Sequence, residues 1–158
     1  MRVIIDADSA PDRLKLAEAV AALGIEAIMV MSVAHYSDKA YGKNIKIVLV
    51  DSRRQEADIK ICNMAVKGDI VITNDSGLSL VIAGKGAYVI NHSGKILGDD
   101  EAQLAVNRAY AVKKAVRGRK ETRSKVKGPK KIPAGKTAAA TARITGAVEK
   151  IIRGSKNL

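Results

Sequence analysis

Short runs rich in valine and isoleucine alternate with segments of helical periodicity over residues 1–90 of this chain. Such runs are typical of parallel strands buried on both faces, and their alternation with helices favours a sheet covered by helices on both sides. We predict strands at residues 3–5, 25–31, 45–50 and 70–72, with a weaker fifth at residues 87–90. We predict the intervening helices at residues 11–23, 55–66 and 78–83. The sequence therefore predicts the α/β class, with a mainly parallel sheet of four to five strands.

Three residues mark the ends of predicted helices. Pro11 suits the opening turn of the first helix, where its missing N–H loses no hydrogen bond. Gly24 can end that helix in a left-handed conformation. Thr137 is a suitable N-cap for a last helix that would run to Arg153.

The chain changes character beyond a further predicted helix at residues 99–116. Residues 113–136 contain eleven Lys/Arg and a single acid, together with too few apolar residues to order the segment alone. We therefore predict an α/β domain over residues 1–112 and a basic flexible segment over residues 113–136. The C-terminal helix, within residues 137–158, is predicted to dock on the domain.

The positive charge is concentrated in the last part of the chain. Residues 1–100 carry 12 Lys/Arg and 13 Asp/Glu, whereas residues 101–158 carry 16 and 3, so the two parts sum to −1 and +13. This asymmetry indicates a segment that binds a polyanion, and we expect nucleic acid, RNA above all, rather than a membrane. The alternative is a solvated tail with no partner. The side chains expected to contact phosphates are Lys113, Lys114, Arg117, Arg119, Lys120, Arg123, Lys125, Lys127, Lys130 and Lys131.

Composition excludes several classes of protein. No apolar run approaches the roughly 18 residues that a membrane helix needs, and the N-terminus has no leader-like pattern. The single cysteine, Cys62, rules out an internal disulfide and is expected to be a buried, inert thiol. We therefore expect a cytoplasmic protein.

Aspartates follow the predicted strands at the points where those strands end. Asp6 and Asp8 come after the first strand, Asp51 after the third and Asp75 after the fourth, and Asp58 lies on the second predicted helix. Because ligands bind at the carboxyl edge of an open α/β sheet, we expect these carboxylates to converge there. For Asp51 alone, a turn role is the favoured interpretation.

Converging carboxylates repel one another, and a divalent cation relieves that repulsion. Oxygen ligands without a His or Cys cluster favour Mg²⁺ or Mn²⁺. Two such ions, about 3.5–4 Å apart, would activate a water molecule and stabilise the leaving oxygen in phosphodiester hydrolysis. The sequence therefore predicts a metal site with one or two ions.

Polar residues near the same edge are candidates for binding substrate. Thr73 and Asn74 could contact phosphate or cap a turn, and His35 could protonate a leaving group or belong to an ordinary loop. His92 lies in a predicted turn and is expected to be structural.

The acidic residues belong to four motifs, which are Ile5-Asp6-Ala7-Asp8-Ser9-Ala10-Pro11, Val50-Asp51-Ser52, Ala57-Asp58 and Gly68-Asp69-Ile70-Val71-Ile72-Thr73-Asn74-Asp75-Ser76-Gly77-Leu78. Together they resemble the YaiI/YqxD family of uncharacterised bacterial proteins, which is grouped with PIN-like ribonuclease folds. The resemblance implies a PIN-like α/β sheet with a metal-binding acidic site, carried over here onto Asp6, Asp8, Asp58 and Asp75. The chain departs from the family pattern at Ser9-Ala10, where the family usually shows a cysteine after its DADA motif, and in its ending.

Taken together, these features predict a metal-dependent nuclease acting on RNA or single-stranded nucleic acid, with Asp6, Asp8, Asp58 and Asp75 as catalytic and metal-binding residues. One alternative is a nucleic-acid-binding protein whose acidic site holds metal without turnover. A second is a phosphatase of the haloacid dehalogenase type, in which Asp6, Asp8, Thr73, Lys85 and Asp99 or Asp100 would fill the four motifs.

Overall fold

The computed structural model describes residues 1–37, 41–53, 55–97 and 134–156. Within these residues one sheet contains the strands β1 (Val3–Asp6), β2 (Ala27–Ser32), β3 (Ile45–Val50), β4 (Ile70–Ile72), β5 (Tyr88–Ile90) and β6 (Ile96–Leu97). The α-helices of the same residues are α1 (Arg13–Ala21), α2 (Glu56–Met64), α3 (Ser76–Gly84) and α4 (Ala134–Lys156). A short 3₁₀ helix covers Val33–His35.

β1 lies near the centre of the sheet, whose strand order is β3-β2-β1-β4-β5-β6. It pairs in parallel with β2 and β4, so that Ile5 lies opposite Met29 on one side and Ile72 on the other. Strands β1 to β5 are parallel and therefore end at the same edge, whereas β6 is antiparallel to β5. The predicted α/β class and mainly parallel sheet are confirmed. The extra strand, β6, was not predicted because two residues are too few to give a pattern.

Helices cover both faces of the sheet and create two aliphatic cores. On one face, Leu16 of α1 and Ile144 of α4 pack with Ile5 and other sheet residues. On the other face, Ile61 of α2 and Ile82 of α3 pack against the remaining sheet side chains. Burying each such side chain contributes about 1.5–3 kcal/mol, which allows a core without Phe or Trp. In the described part of the chain, no helix has the length and apolar character needed to cross a membrane.

The helix ends agree with the predictions in one case and differ in two. Gly24 has φ +76° after α1, as predicted. Pro11 lies before α1, because the left-handed Asp12 (φ 45°) separates it from the first helical turn at Arg13. Thr137 is not an N-cap, because α4 already begins at Ala134, and the Thr137 carbonyl accepts a hydrogen bond from a hydroxyl one turn later. The predicted helix at residues 99–116 and the basic residues up to 133 lie outside the described residues.

A close backbone contact fixes α4 against the turn between β5 and β6. Gly94, in that turn, has φ +84°, and a Cβ atom there would lie 2.7 Å from the backbone carbon of Arg143. A distance this short excludes any side chain at residue 94 unless the helix moves. The first half of α4 is therefore positioned close to the carboxyl edge of the sheet.

An ion pair between Arg2 and Asp69 lies at the opposite edge of the sheet, where the parallel strands begin. The buried Asp69 carboxylate accepts hydrogen bonds from the Arg2 guanidinium (2.6 Å) and from the backbone N–H groups of Arg2 and Val66. Burial alone would raise the pKa of Asp69, but these hydrogen bonds and the Arg2 charge outweigh it and lower the pKa. Asp69 therefore has a structural role that the sequence motif alone did not distinguish from a functional one.

Candidate functional site

A cavity of about 570 Å³ opens at the carboxyl edge of the parallel strands. The side chains that line it come from the ends of β1 to β4, from the 3₁₀ helix, from α2 and from the loop before α2. They include the five aspartates that were expected to converge at this edge, namely Asp6, Asp8, Asp51, Asp58 and Asp75. We refer to this space as the acidic cavity. Among its described lining residues, Arg53 is the one Lys or Arg.

Asp6 is the deepest of these acids, and its residue is 5% exposed. Its Oδ2 accepts hydrogen bonds from the Ser9 hydroxyl (2.7 Å) and the Thr73 hydroxyl (3.0 Å). The Thr73 hydroxyl also accepts from the backbone N–H of Asp75 (3.1 Å), and the threonine is fully buried. Thr73 therefore orients the Asp6 carboxylate and the turn at Asp75, and the turn contact is one of the two roles considered from the sequence.

Asp8 is bound to the 3₁₀ helix that follows β2. Both of its carboxylate oxygens lie 3.1 Å from the backbone N–H of Ser32, and Oδ1 lies 2.9 Å from Nδ1 of His35. A carboxylate can only accept a hydrogen bond, so Nδ1 carries the proton, which leaves Nε2 of a neutral imidazole as an acceptor. The His35 side chain is 56% exposed and lines the acidic cavity. The pair therefore resembles a carboxylate–histidine unit that can exchange a proton at Nε2.

Asp75 is the N-cap of α3, because its Oδ1 accepts a hydrogen bond of 2.7 Å from the backbone N–H of Leu78. That bond leaves Oδ2 of the carboxylate without a hydrogen bond to any described residue. The neighbouring Asn74 also has a structural contact, since its Oδ1 accepts from the backbone N–H of His92 (2.8 Å). Capping and ligand binding are thus compatible at Asp75, while the Asn74 amide oxygen holds the turn between β5 and β6.

Asp58 has an uncompensated charge. Its side chain makes no hydrogen bond or ion pair with any residue in the described part of the chain. Burial raises its pKa, and the negative charges of Asp75 and Asp6 raise it further. The charges of Asp6 and Asp75 therefore act on Asp58 through space, although the three carboxylates belong to three different elements.

The donor set is chemically suited to Mg²⁺ or Mn²⁺, because it consists of carboxylate oxygens. Within residues 1–37, 41–53, 55–97 and 134–156, no three His, Cys, Asp or Glu side chains are close enough together to hold an ion as a complete ligand set. This spacing still fits Mg²⁺, which retains several water molecules and is commonly held by one or two carboxylates together with substrate phosphates. The acidic cavity therefore fits a hydrated cation better than a closed metal cage.

The remaining predicted residues belong to the basic segment or to the phosphatase alternative. The ten basic residues from Lys113 to Lys131 are outside the described residues. Lys85, which the phosphatase alternative requires near Asp6, donates instead to the backbone carbonyls of Cys62 and Ala65 at the C-terminal end of α2. Arg53 and Gln55 line the acidic cavity and were not predicted, because no motif sets them apart from other polar loop residues.

The fold and the site define a class of protein with a parallel α/β sheet and an acidic cavity at its carboxyl edge. Residues 4–150 match the model of the uncharacterised YaiI/YqxD family, and the chain belongs to this family. A UPF0178 protein of Listeria welshimeri is 32% identical over 109 residues, which is 69% of this chain and 72% of that protein. A UPF0178 protein of Clostridium novyi is 34% identical over 122 residues, which is 77% of this chain and 80% of that protein. No solved structure gives a significant match to the chain.

Proposed function

We propose that this protein is a phosphodiester hydrolase that requires Mg²⁺ or Mn²⁺ and acts on RNA or single-stranded nucleic acid. The observation that carries the proposal is the acidic cavity itself, in which Asp6, Asp8, Asp58 and Asp75 come together from separate parts of the chain. A cavity with this excess of negative charge attracts cations and, without one, repels phosphate. A nuclease of this kind is also the activity that a PIN-like fold would imply.

One or two of Asp6, Asp58 and Asp75 would hold the cation, and water molecules or substrate phosphate would complete its ligands. The charges of Asp6 and Asp75 act on Asp58, and each of the three carboxylates retains at least one oxygen without a hydrogen bond to a described residue. When bound, a divalent cation lowers the pKa of a water molecule and stabilises charge on phosphoryl oxygens. The hydroxyls of Ser9 and Thr73 hold the Asp6 carboxylate in place before the cation arrives.

Asp8 has a different role in this proposal. Both of its oxygens already accept hydrogen bonds, so Asp8 positions the His35 ring. Once Nε2 of His35 has taken a proton from solvent, it would donate that proton to the oxygen that leaves the phosphate. This division of roles is favoured over a set of four equivalent metal ligands. The Asp8 carboxylate is hydrogen-bonded to the end of β2 and the 3₁₀ helix after it, whereas the Asp6 carboxylate is hydrogen-bonded to the residue that follows β4.

The substrate class follows from the basic residues of the C-terminal part, which sums to +13 over residues 101–158. Lys and Arg bind the phosphates of any nucleic acid, and a row of positive charges along the backbone suits single strands. If six residues contact phosphates, affinity should fall by about a thousandfold between 50 and 200 mM salt. A flat salt dependence would contradict this part of the proposal.

Cleavage of a fluorescein-labelled single-stranded RNA in Mn²⁺ tests the proposal. We expect cleavage by the wild type, a loss of at least about a hundredfold in Asp6→Asn, and no change in Glu18→Gln, which removes an exposed charge on α1. Asp58→Asn is the second variant. Because removing the Asp58 charge relieves repulsion in the folded protein, misfolding would not explain a loss of cleavage in this variant. Cleavage that is unchanged in both aspartate variants would refute the mechanism. Salt-sensitive RNA binding without any cleavage would support the non-catalytic alternative instead.

A further inference from the structure

A second cavity of about 420 Å³ lies beside the acidic cavity. The two are neighbours because Ser9 and Asn74 line both of them. One wall of the second cavity is the turn between β5 and β6, which contributes His92, and the facing wall is α4, which contributes Lys136 and Arg143. We call this second cavity the basic cleft. Its volume lies within the range of about 300–1,000 Å³ that is usual for ligand sites.

The charge of the basic cleft is opposite to that of the acidic cavity. Its described lining residues include no Asp or Glu. In the described part of the chain, neither Lys136 nor Arg143 forms an ion pair, so both cations are available to an anion. In addition, Nε2 of His92 is a buried ring nitrogen that has no hydrogen-bond partner among the described residues. Unpaired cations and an unpartnered polar atom together indicate that this space receives an anionic ligand.

The packing of α4 fixes the position of these cations. Ile144 and Val148 of α4 are fully buried in the core, and the backbone of Arg143 lies against Gly94. A helix fixed in this way holds its side chains near one place. The basic cleft is therefore preorganised relative to the carboxyl edge of the sheet.

We infer that the basic cleft binds a backbone phosphate of a nucleic-acid strand, next to the phosphate that reacts in the acidic cavity. Lys136 and Arg143 contact the phosphate oxygens, and the shared wall at Ser9 and Asn74 keeps the two phosphates on adjacent nucleotides. That the neighbouring phosphate in the acidic cavity is the one that reacts rests on the proposed function. The cleft alone indicates a phosphate-like anion, and its position beside the acidic cavity extends this to a phosphodiester strand with at least two phosphates.

Binding of single-stranded RNA in EDTA tests the basic cleft without any contribution from cleavage. Fluorescence anisotropy over a series of salt concentrations would compare the wild type with the double variant Lys136→Gln/Arg143→Gln. The matched control is Lys150→Gln/Arg153→Gln, which removes two exposed charges from the same helix outside the cleft. Losing two phosphate contacts should reduce the slope of log K against log[salt] by about 1.4, with a much smaller change in the control. Equal effects in the two double variants would overturn the inference.

The two histidines of the chain provide a second measurement, because His35 lines the acidic cavity and His92 the basic cleft. We expect a 5′-phosphorylated dinucleotide to shift the NMR ring signals of His92 in full-length protein without metal. If His92 signals move and no RNA is cleaved in Mn²⁺, the cleft stands and the proposed hydrolysis fails. If RNA is cleaved while the His92 signals and the double variant are both unaffected, the cleft is wrong and the hydrolysis stands.

Discussion

The contact between Gly94 and Arg143 gives the sharpest prediction about the fold, because its cost follows from distances. An alanine at residue 94 would place its Cβ 2.7 Å from the backbone of α4, whereas ordinary contacts begin at 3.4 Å. The helix would have to move by about 0.7 Å, and overpacking of this kind typically costs about 1–3 kcal/mol. The positive φ adds about 1–2 kcal/mol, so Gly94→Ala should lower the free energy of unfolding by about 2–5 kcal/mol.

Gly24→Ala is the matched control for this prediction. Gly24 has a φ of +76°, close to the +84° of Gly94, but a Cβ there would meet no atom within 4 Å. It should therefore show the conformational cost alone, about 1–2 kcal/mol. Urea unfolding followed by circular dichroism measures both variants, and the melting temperature of Gly94→Ala should be about 2–12 °C below that of Gly24→Ala. Equal stabilities would refute the claim that α4 packs tightly against this turn.

Two further predictions concern stability. Ile144→Ala should lower the free energy of unfolding by about 2–5 kcal/mol because Ile144 is fully buried, whereas Ile59→Ala, on the exposed side of α2, should change it by less than about 0.5 kcal/mol in urea titrations. Equal losses would mean that α4 is not part of the core. Asp69→Asn should cost about 1–3 kcal/mol at pH 7. Because the folded-state pKa of Asp69 is lowered, its contribution is complete above the unfolded pKa of roughly 3.9 and is lost as the pH falls through the folded value. The difference between wild type and Asp69→Asn should therefore shrink between pH 5 and pH 2, and a constant difference would contradict the assignment.

The sequence predicted the parallel strands and their common edge well, because buried valine and isoleucine runs constrain the sheet locally. Asp6, Asp8 and Asp75 could be assigned to that edge for the same reason. The sequence could not reveal how their oxygens are used, since Asp8 binds the loop after β2 and Asp75 caps α3 through contacts between separate segments. The sequence left two roles open for Thr73, because a buried hydroxyl and a substrate-binding hydroxyl occupy the same place in the motif.

The residues of the basic cleft could be predicted from the sequence even less well than the contacts of the aspartates. Lys136 and Arg143 are ordinary basic residues among many in the C-terminal part of the chain. Their position beside the acidic cavity depends on where α4 docks, and that depends on Ile144 in the core and on the absence of a side chain at Gly94. Neither contact follows from a local pattern, because each joins residues that are far apart in the sequence.

The central claim is that the acidic cavity binds a divalent cation through carboxylates. Crystals of the full chain soaked in Mn²⁺ and measured at a wavelength where manganese scatters anomalously test it directly. We expect an anomalous peak in the acidic cavity within bonding distance of oxygens from Asp6, Asp58 or Asp75, and no peak there in crystals of Asp6→Asn/Asp58→Asn. A cavity without manganese at millimolar Mn²⁺, or an ion bound only elsewhere on the protein, would contradict the account.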